Sequence, residues 1–541
     1  MTDADHPAIR IDPPGCGDAG GTPRDPDCLG AWTRAAAGAA RWLRSESGCL
    51  RVAAIGLGVG GLVAYRAAAL EAGIDDLVLW GVPRRGRALV REMTAFARLN
   101  ADESSALAAE AGPDDGSLEV GGFLLSADTL AALGKVDLTD LALSRAGTGW
   151  ALLLARDGTP PDSALAEHLE GMGVAVGLAP GEGFATLTST PQLTRTPTDA
   201  IDATVGWLAG APAQEASPAA EPPLAPASIE LEVEGSRVRE RPVVVEHSAG
   251  LLHGVLSEPA EGPTGSLRGL LLNAGAVRRT GPGRLWVELA RSWAAHGVIT
   301  LRIDSESIGD ADGARDYTDD GALYVPELVD DAIVAMDAMD AEHGVQERPR
   351  YLLGGLCSGA FWSFHAALRD ARVRSVLMLN PRALHWHEKL AVARDARKMT
   401  RIGRGLYWRR LLTGQVSAER LRSAALWAMR APVEIPRTAR RRRLERREVE
   451  AAFDQLRDEH KRVTLVFGED EPLDEELQAE GLLDQRDRWP NVELQRLPGR
   501  DHTLRPMVTQ QRLHALVARL LERELEGADQ PEPVAGGVRA T

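Results

Sequence analysis

The second half of the chain alternates between apolar stretches with strand character and Ala-, Leu- and Arg-rich stretches with helical character. The helical stretches are a segment from about Arg284, YVPELVDDAIVAMDAM, GAFWSFHAALRD, and a last segment from about Thr509 to Leu525. Strands that alternate with helices in this way are typical of an α/β domain with a mostly parallel sheet. The predicted strands are RPVVVEHS, LLHGVLSEP, RGLLLNAG, VITLRID, RYLLGGL, RSVLMLN, VTLVFGED and VELQRLPG.

The first half repeats the later part of this order. AIRIDPPG matches VITLRID, RVAAIGLG matches RYLLGGL, and DDLVLWG, WALLLARD and VAVGLAPG match the strands that follow. The repeat is easily seen between IRIDPPGCGDAGG and LRIDSESIGDADG. Nothing in the first half matches the three opening strands of the second half. We therefore predict that the first copy lacks those strands, unless another strand such as SIELEVEG covers the edge that they leave.

Composition suggests the domain boundaries. The segment APAQEASPAAEPPLAPAS, residues 211–228, is rich in Pro and Ala and has no hydrophobic period, so we predict an extended, semi-rigid linker. The tail GADQPEPVAGGVRAT, residues 527–541, is predicted to be disordered for the same reasons. The expected domains are residues 1–210 and 229–526, because 541 residues exceed what one ordinary hydrophobic core supports.

Composition also excludes several classes of protein. Hydrophobic residues make up 44% and charged residues 26% of the chain, as in soluble globular proteins. We see no signal peptide, and the most apolar run, VAAIGLGVGGLVAY, is shorter than the roughly 20 residues of a spanning helix. We therefore expect a cytoplasmic protein without a membrane span. A formal charge of −16 argues against a nucleic-acid partner. The four cysteines show neither disulfide nor zinc-site spacing, so we expect no metal and no cofactor.

Positive charge is concentrated between Arg382 and Arg462. This segment, about a seventh of the length, holds about a third of all Lys and Arg residues, including RRRRLERRE. Two interpretations stay open: a set of solvated helix faces, or a surface that binds an anionic ligand.

The stretch GGLCSGA has the spacing of a nucleophile elbow, with Cys357 between Gly355 and Gly359. In such an elbow a strand runs directly into a helix, and the flanking glycines let the two backbones pass closely. The dipole at the helix N-terminus lowers the pKa of a thiol placed there. The backbone N–H of Ser358 would point at the same place and supply one donor of an oxyanion hole. The alternative interpretation is that Cys357 is a small buried apolar residue.

Three further features favour a nucleophile. The strand RGLLLNAG leads into a loop in which the N–H of Gly275 or Ala274 would supply the second oxyanion donor. The acidic turn GEDEP contains two candidates for the carboxylate, Glu471, which we favour narrowly, and Asp470. His502 follows the last strand in LPGRDHTL. The order nucleophile, acid, histidine along the chain is the order of an α/β hydrolase. His502 would move the proton, and the acid would orient its ring.

The first copy lacks this chemistry. Its elbow, GLGVGG, has Gly58 where the second copy has a cysteine. Phe184 is expected in the place of the histidine, and Asp157 stands at the acid position with no imidazole to orient. The stretch also fits the G-x-G-x-x-G pattern of dinucleotide-binding proteins, but that pattern alone is weak, and no acid ends the next strand.

These residues resemble a known group of proteins. In the second half NAGAVRRTGPGRLWVELARSWAAHG, SIGDADG, GLCSGA, LNPRALHW, YWRRLLTGQV and GRDHTL are similar to one class of exosortase A system-associated α/β-hydrolases, which are serine aminopeptidase S33-like and use a Gly-x-Cys elbow. In the first half DPPGCGDAGG, GLGVGG, LWGVPRRGRAL and LEVGGFLLSADTL resemble the companion class, whose elbow lacks a usual nucleophile. The resemblance covers roughly residues 8–207 and 235–525.

The resemblance implies a fusion of the two classes: two α/β-hydrolase folds in tandem, the first without the opening strands. It also implies a triad of Cys357, His502 and an acid, although Glu471 stands where an Asp is more usual. The basic segment 382–462 lies where this fold carries a helical lid.

We expect an acyl-transfer enzyme. Cys357 would attack an ester or thioester, and water, an alcohol, an amine or a carbon nucleophile would resolve the acyl-thioenzyme. A basic lid would suit a substrate bound to coenzyme A or to the phosphopantetheine of a carrier protein. The rival expectation is a non-catalytic interaction protein in which the first copy is a docking platform. The acyl group, the acceptor and the oligomeric state, a homo-oligomer included, stay open.

Overall fold

The chain divides into two compact units. The first comprises Met1–Leu231, Pro282–Val287 and Leu504–Arg512, and the second comprises Glu232–Gly281, Glu288–Thr503 and Leu513–Thr541. The predicted domain boundaries stay predictions, and residues 211–227 and 529–541 of the expected linker and tail lie outside the described residues. The computed structural model describes residues 6–70, 73–101, 115–143, 148–188, 194–210, 228–262, 265–317, 320–343, 349–385, 446–485 and 487–528.

The first half forms an α/β arrangement. In chain order its elements are α1 (Cys28–Ser47), β1 (Ala53–Leu57), α2 (Val59–Ala69), β2 (Asp76–Trp80), α3 (Gly86–Ala101), β3 (Leu118–Val120), β4 (Phe123–Leu125), α4 (Ala127–Lys135), β5 (Trp150–Leu154), α5 (Ser163–Gly171), β6 (Ala175–Ala179), α6 (Phe184–Leu187) and α7 (Thr198–Ala209).

The second half continues this numbering. Its elements are β7 (Ile229–Val233), β8 (Ser236–His247), β9 (Gly250–Pro259), β10 (Leu267–Leu272), α8 (Leu285–Ala295), β11 (Ile299–Ile303), α9 (Pro326–His343), β12 (Arg350–Leu356), α10 (Ser358–Arg369), β13 (Val373–Leu379), α11 (446–458), β14 (Arg462–Phe467), α12 (Pro472–Ala479), β15 (Val492–Arg496) and α13 (Met507–Ala528).

Two sheets carry the sites discussed below. In the part of the chain that the structure describes, the first sheet has the parallel order β1-β2-β5-β6. The second sheet has the order β15-β14-β13-β12-β10-β11-β9-β8-β7; β10 to β15 are parallel, and β8 and β9 form an antiparallel hairpin at one side. The α/β class and the eight strands predicted in the second half are confirmed. Every residue of β10 and β11 is buried, as expected for the middle of a mostly parallel sheet.

Among the described residues of the first copy, no strand corresponds to the opening strands, and β1, the counterpart of β12, lies at the edge of its sheet. One detail of the prediction was wrong, and the alternative left open for SIELEVEG does not hold. AIRIDPPG is not a strand: its counterpart β11 is hydrogen-bonded to β9 and β10, and the first copy has neither partner. SIELEVEG does not cover β1, because β7 lies at the outer edge of the second sheet beside β8.

The turn that follows β11 explains part of the internal repeat. Asp304 ends the sequence LRID, is fully buried, and accepts a hydrogen bond from the backbone N–H of Asp310 at 3.2 Å. Gly309 has a φ of 62° and lies so close that a Cβ there would be 2.3 Å from an Asp304 carboxylate oxygen. Asp304 also accepts bonds from the Asn273 side chain (3.0 Å) and from the backbone N–H and guanidinium of Arg279 (2.6 Å each). It therefore ties two loops together.

The first unit forms the same turn around Asp12. Asp12 accepts a hydrogen bond from the N–H of Asp18 at 3.0 Å, and Gly17 has a φ of 50°. The backbone hydrogen bonds recur at matching positions: Gly15 N to Gly20 O with Ser307 N to Asp312 O, Cys16 N to Pro13 O with Ile308 N to Ser305 O, and Ala19 N to Cys16 O with Ala311 N to Ile308 O. The repeated sequence thus encodes a repeated turn, and in the described part of the chain Asp304 is the one of the two aspartates that also accepts hydrogen bonds from a second loop.

None of the described helices combines the length and the apolar character that crossing a bilayer requires.

The two turns predict unequal responses to mutation. Asp304→Ala leaves buried donors from two loops unsatisfied and removes one carboxylate from Arg279, so we expect a loss of about 3 kcal/mol or more in the free energy of unfolding. Asp12→Ala removes one partly exposed acceptor and should cost about 1 kcal/mol. Calorimetric unfolding and hydrogen exchange of the two turns measure the difference. Equal losses in the two variants would contradict this account of the second turn.

Candidate active site

Cys357 lies at a sharp bend between β12 and α10. Its backbone has φ 59° and ψ −110°, in a region that residues other than glycine rarely adopt. The flanking glycines are required by the close passage of the chain: a Cβ on Gly355 would lie 2.0 Å from the carbonyl carbon of Gly359, and a Cβ on Gly359 would lie 2.2 Å from the carbonyl oxygen of Asn273. The predicted elbow is therefore present, and it places the thiol at the N-terminus of α10.

His502 and Glu471 are in direct contact. The Nδ1 atom of His502 lies 2.8 Å from Oε1 of Glu471, which is 5% exposed. The alternative acid, Asp470, does not reach the ring. Its carboxylate is exposed and forms an ion pair with Arg500 at 3.1 Å. Of the two carboxylates that the sequence left open, only Glu471 is brought to the histidine.

The other ring nitrogen of His502, Nε2, is buried and has no hydrogen-bond partner of ordinary geometry among the described residues. The Cys357 thiol acts on the same ring and raises its pKa. Because Nδ1 is taken by Glu471, we infer that Nε2 is the nitrogen on the side of the thiol. Catalytic hydrogen bonds are often long or poorly aligned before a substrate binds. The imidazole thus lies between a buried carboxylate and the sulfur.

The charges of this cluster stabilise an ion pair. Burial alone would raise the pKa of the Cys357 thiol, but His502, Arg382 and Tyr324 outweigh burial and lower it. Burial likewise acts to lower the pKa of His502, yet its contacts with Cys357 and Glu471 raise that pKa to about 9. Both shifts favour thiolate beside imidazolium at neutral pH.

Asn380 holds the two loops that carry His502 and Glu471, and sequence reasoning missed it. It follows β13, is fully buried, and has a φ of 40°. Its side-chain N–H donates to the backbone oxygen of His502 at 2.7 Å, and its side-chain oxygen accepts from the N–H of Gly468 at 2.7 Å. One amide therefore fixes the acid turn and the histidine loop relative to β13. The sequence feature that could have indicated this residue is an Asn placed directly after an apolar strand.

The N–H groups predicted as oxyanion donors differ in the hydrogen bonds that they make. Ser358 is the first residue of α10, and N–H groups in the first turn of a helix have no acceptor within the helix. The N–H of Gly275, however, donates to the Ser358 hydroxyl oxygen at 3.1 Å. Gly275 is therefore engaged in holding its loop against α10. Ala274, which is buried beside it, is the remaining candidate of the pair.

A tyrosine that the sequence analysis did not single out lies beside the sulfur. The hydroxyl of Tyr324 is 3.6 Å from Sγ of Cys357. The ring is buried and packs edge-on against Phe361, with ring centroids 5.2 Å apart. Tyr324 lies just before α9, in a turn that has no sequence pattern linking it to the elbow.

The first unit keeps the bend without the side chains. Gly58 has φ 50° and ψ −116°, close to the angles of Cys357. A Cβ on Gly58 would lie 3.9 Å from the ring of Phe184, as expected if Phe184 occupies the place of the histidine. The carboxylate of Asp157 accepts bonds from the N–H groups of Gly183 (2.7 Å) and Ala185 (2.8 Å). These bonds lower the pKa of Asp157, whose carboxylate now holds the turn that carries Phe184.

Residues 386–445 of the predicted basic lid lie outside the described residues. Arg382, at the start of that segment, is exposed, and its charge lowers the pKa of the Cys357 thiol. Among the described residues, no group of three or more His, Cys, Asp or Glu side chains is arranged to hold a metal ion.

No family model and no curated protein matches the chain. Solved structures with a similar fold include a serine hydrolase homologue from Coxiella burnetii (14% identity, 52% of this chain, 97% of that chain, TM-score 0.31). Another is a cold-adapted esterase from an Arctic intertidal metagenomic library (16% identity, 53% of this chain, 94% of that chain, TM-score 0.30). A third is a lidless serine hydrolase from Xanthomonas campestris (13% identity, 57% of this chain, 99% of that chain, TM-score 0.31). At these identities the likeness concerns the fold alone.

The second unit can be classified from its own geometry. Its strand order, its elbow after β12, and the order of Cys357, Glu471 and His502 along the chain are those of an α/β-hydrolase fold.

Proposed function

We propose that the second unit is an acyl-transfer enzyme in which Cys357 is the nucleophile, His502 moves the proton and Glu471 orients the histidine. The observation that carries this proposal is the setting of the His502 ring, whose Nδ1 contacts a buried carboxylate and whose pKa is raised by a thiol at a strained elbow. A nucleophile, a base and a group that orients the base are what covalent catalysis requires.

The lowered pKa of Cys357 and the pKa of about 9 for His502 favour a resting state with the thiol proton on His502. The thiolate attacks the carbonyl carbon of an ester or thioester. The new C–S bond forms as the C=O π electrons move onto oxygen. The N–H of Ser358 and that of Ala274 stabilise this oxyanion.

The tetrahedral intermediate then collapses. The bond from carbon to the leaving oxygen or sulfur breaks, and the leaving group takes the proton from Nε2 of His502. The product is an acyl-thioenzyme. The negative charge on sulfur is now gone, so one of the two contacts that raise the pKa of His502 is lost. His502 can then act as a base toward the incoming acceptor.

The acceptor is water in hydrolysis, or an alcohol, amine or carbon nucleophile in transfer or cyclisation. A thioester intermediate favours transfer modestly, because amines and carbanions attack thioesters well. The exposed cation Arg382, whose charge acts on the thiol, supports an anionic acyl donor, such as a coenzyme A or carrier-protein thioester. The resemblance to exosortase A system-associated hydrolases stays a prediction, as does the non-catalytic role of the first unit.

The first prediction concerns selective labelling. Iodoacetamide should alkylate Cys357 fastest, with a pH profile well below the roughly 8.5 of a free thiol, because its thiolate is stabilised. Cys28 is buried, and burial raises the pKa of the Cys16 thiol, so these two should react slowly. Intact-mass analysis after incubation with a panel of acyl thioesters should show an acyl adduct that is absent from Cys357→Ala.

Equal labelling of all four cysteines, with no acyl adduct from the panel, would instead support the interaction-protein alternative.

A second prediction separates the two candidate acids. Glu471→Gln removes the buried charge that holds the imidazolium and should lower kcat by about 10²- to 10⁴-fold. The matched control, Asp470→Asn, changes the neighbouring exposed carboxylate and should alter kcat by less than about twofold. Steady-state kinetics with an acyl thioester measure both. A larger loss in Asp470→Asn than in Glu471→Gln would overturn the assignment.

A third prediction concerns pH. His502 must be protonated to release the leaving group, so kcat/KM should fall as the pH rises through about 9, the pKa to which its partners raise it. Glu471→Gln removes one of those partners and should move this basic limb to lower pH. A pH–rate profile of both proteins measures the limb, and an unmoved limb in the variant would show that His502 is not the titrating acid.

A further inference from the structure

We propose that Tyr324 is a further catalytic residue, whose hydroxyl donates a hydrogen bond to the sulfur of Cys357 in the resting enzyme and to the charged reacting group during turnover. This inference rests on the proposed function.

The position of Tyr324 is fixed from three sides. Its ring packs on Phe361, one turn into α10, with an interplanar angle of 71°. The preceding residue, Leu323, offers its carbonyl oxygen to the indole N–H of Trp362 at 2.6 Å. The backbone N–H of Tyr324 donates to Gly321 at 3.1 Å. The hydroxyl is thus delivered to the elbow by buried contacts with α10, the same helix that Cys357 caps.

The direction of the hydrogen bond follows from the charges. The groups that act on the Cys357 sulfur are His502, Arg382 and Tyr324. With the proton on His502, the sulfur is a thiolate and has no hydrogen to give. The phenol is the donor, and a buried phenol hydroxyl needs such a partner. Tyr324 is the neutral donor of the three, and it keeps its proton throughout.

The same hydroxyl can follow the charge during the reaction. When sulfur bonds to the carbonyl carbon of the substrate, the carbonyl oxygen and the leaving atom each lie one bond beyond that carbon. The Tyr324 hydroxyl, 3.6 Å from Sγ, is close enough to reach such an atom. The sequence had assigned the second oxyanion donor to Gly275 or Ala274, but the N–H of Gly275 donates to Ser358. Tyr324 supplies a further donor beside those of Ser358 and Ala274. No bond to its oxygen breaks.

The test is Tyr324→Phe, which keeps the ring and removes only the hydroxyl. We expect the pH midpoint of Cys357 alkylation to rise by about one unit and kcat to fall about ten- to hundredfold, as for loss of a hydrogen bond to a charged group. KM should change little, because the bond strengthens in the transition state. The matched control is Tyr317→Phe, which removes a hydroxyl that donates to the backbone oxygen of Glu306. That variant should leave the midpoint and kcat unchanged.

Incorporation of 3-fluorotyrosine at position 324 gives a second readout that preserves the fold. A more acidic phenol is a stronger donor, so the alkylation midpoint should move downward. An unchanged midpoint in both altered proteins, with normal thiolate reactivity in the wild type, would overturn the role of Tyr324 alone. If Cys357 of the wild-type protein is not alkylated faster than the other cysteines, the proposed function itself is overturned.

Discussion

The site depends on one backbone constraint, the left-handed bend that joins β12 to α10. The bend costs about 1–3 kcal/mol at a residue with a side chain, and the packed sheet around it must make up that cost. The bend places the sulfur of Cys357 at the N-terminus of α10, where the helix dipole and the imidazole of His502 both favour the thiolate. Gly355 and Gly359 make the bend possible because side chains at either position would collide with backbone. Cys16, Cys28 and Cys49 lie outside this setting.

Loops carry the remaining groups, and two buried polar side chains hold those loops in place. Asp304 joins the turn after β11 to the loop of Ala274, and Asn380 joins the acid turn to the loop of His502. Both are fully buried. A buried polar group is stabilising only when its partners are all in place. The satisfied network therefore fixes each loop in one arrangement, and a catalytic geometry needs that precision.

Much of this architecture could be predicted from the sequence because it is local. The strands of the second sheet are apolar runs, and the elbow, the acid turn and His502 follow them directly. What failed depends on partners distant in the chain. AIRIDPPG has the composition of a strand but no neighbour to pair with. Burial, which the sequence of GEDEP does not reveal, separates Glu471 from Asp470. The contact of Tyr324 with the sulfur, and the engagement of Gly275 by Ser358, depend on how helices and loops pack across the sheet.

The two units separate the shape of the elbow from its chemistry. Gly58 adopts nearly the angles of Cys357, so the bend is demanded by the passage of strand into helix and not by a nucleophile. A glycine meets that demand without strain. The carboxylate of Asp157, with no imidazole to orient, binds the backbone of the turn that presents Phe184. We therefore expect no activity from a single thiol placed at position 58, since an apolar ring lies near that position and the carboxylate of Asp157 is bonded to that ring's turn. The scaffold of the fold is robust, whereas its chemistry depends on a few side chains that must all be present together.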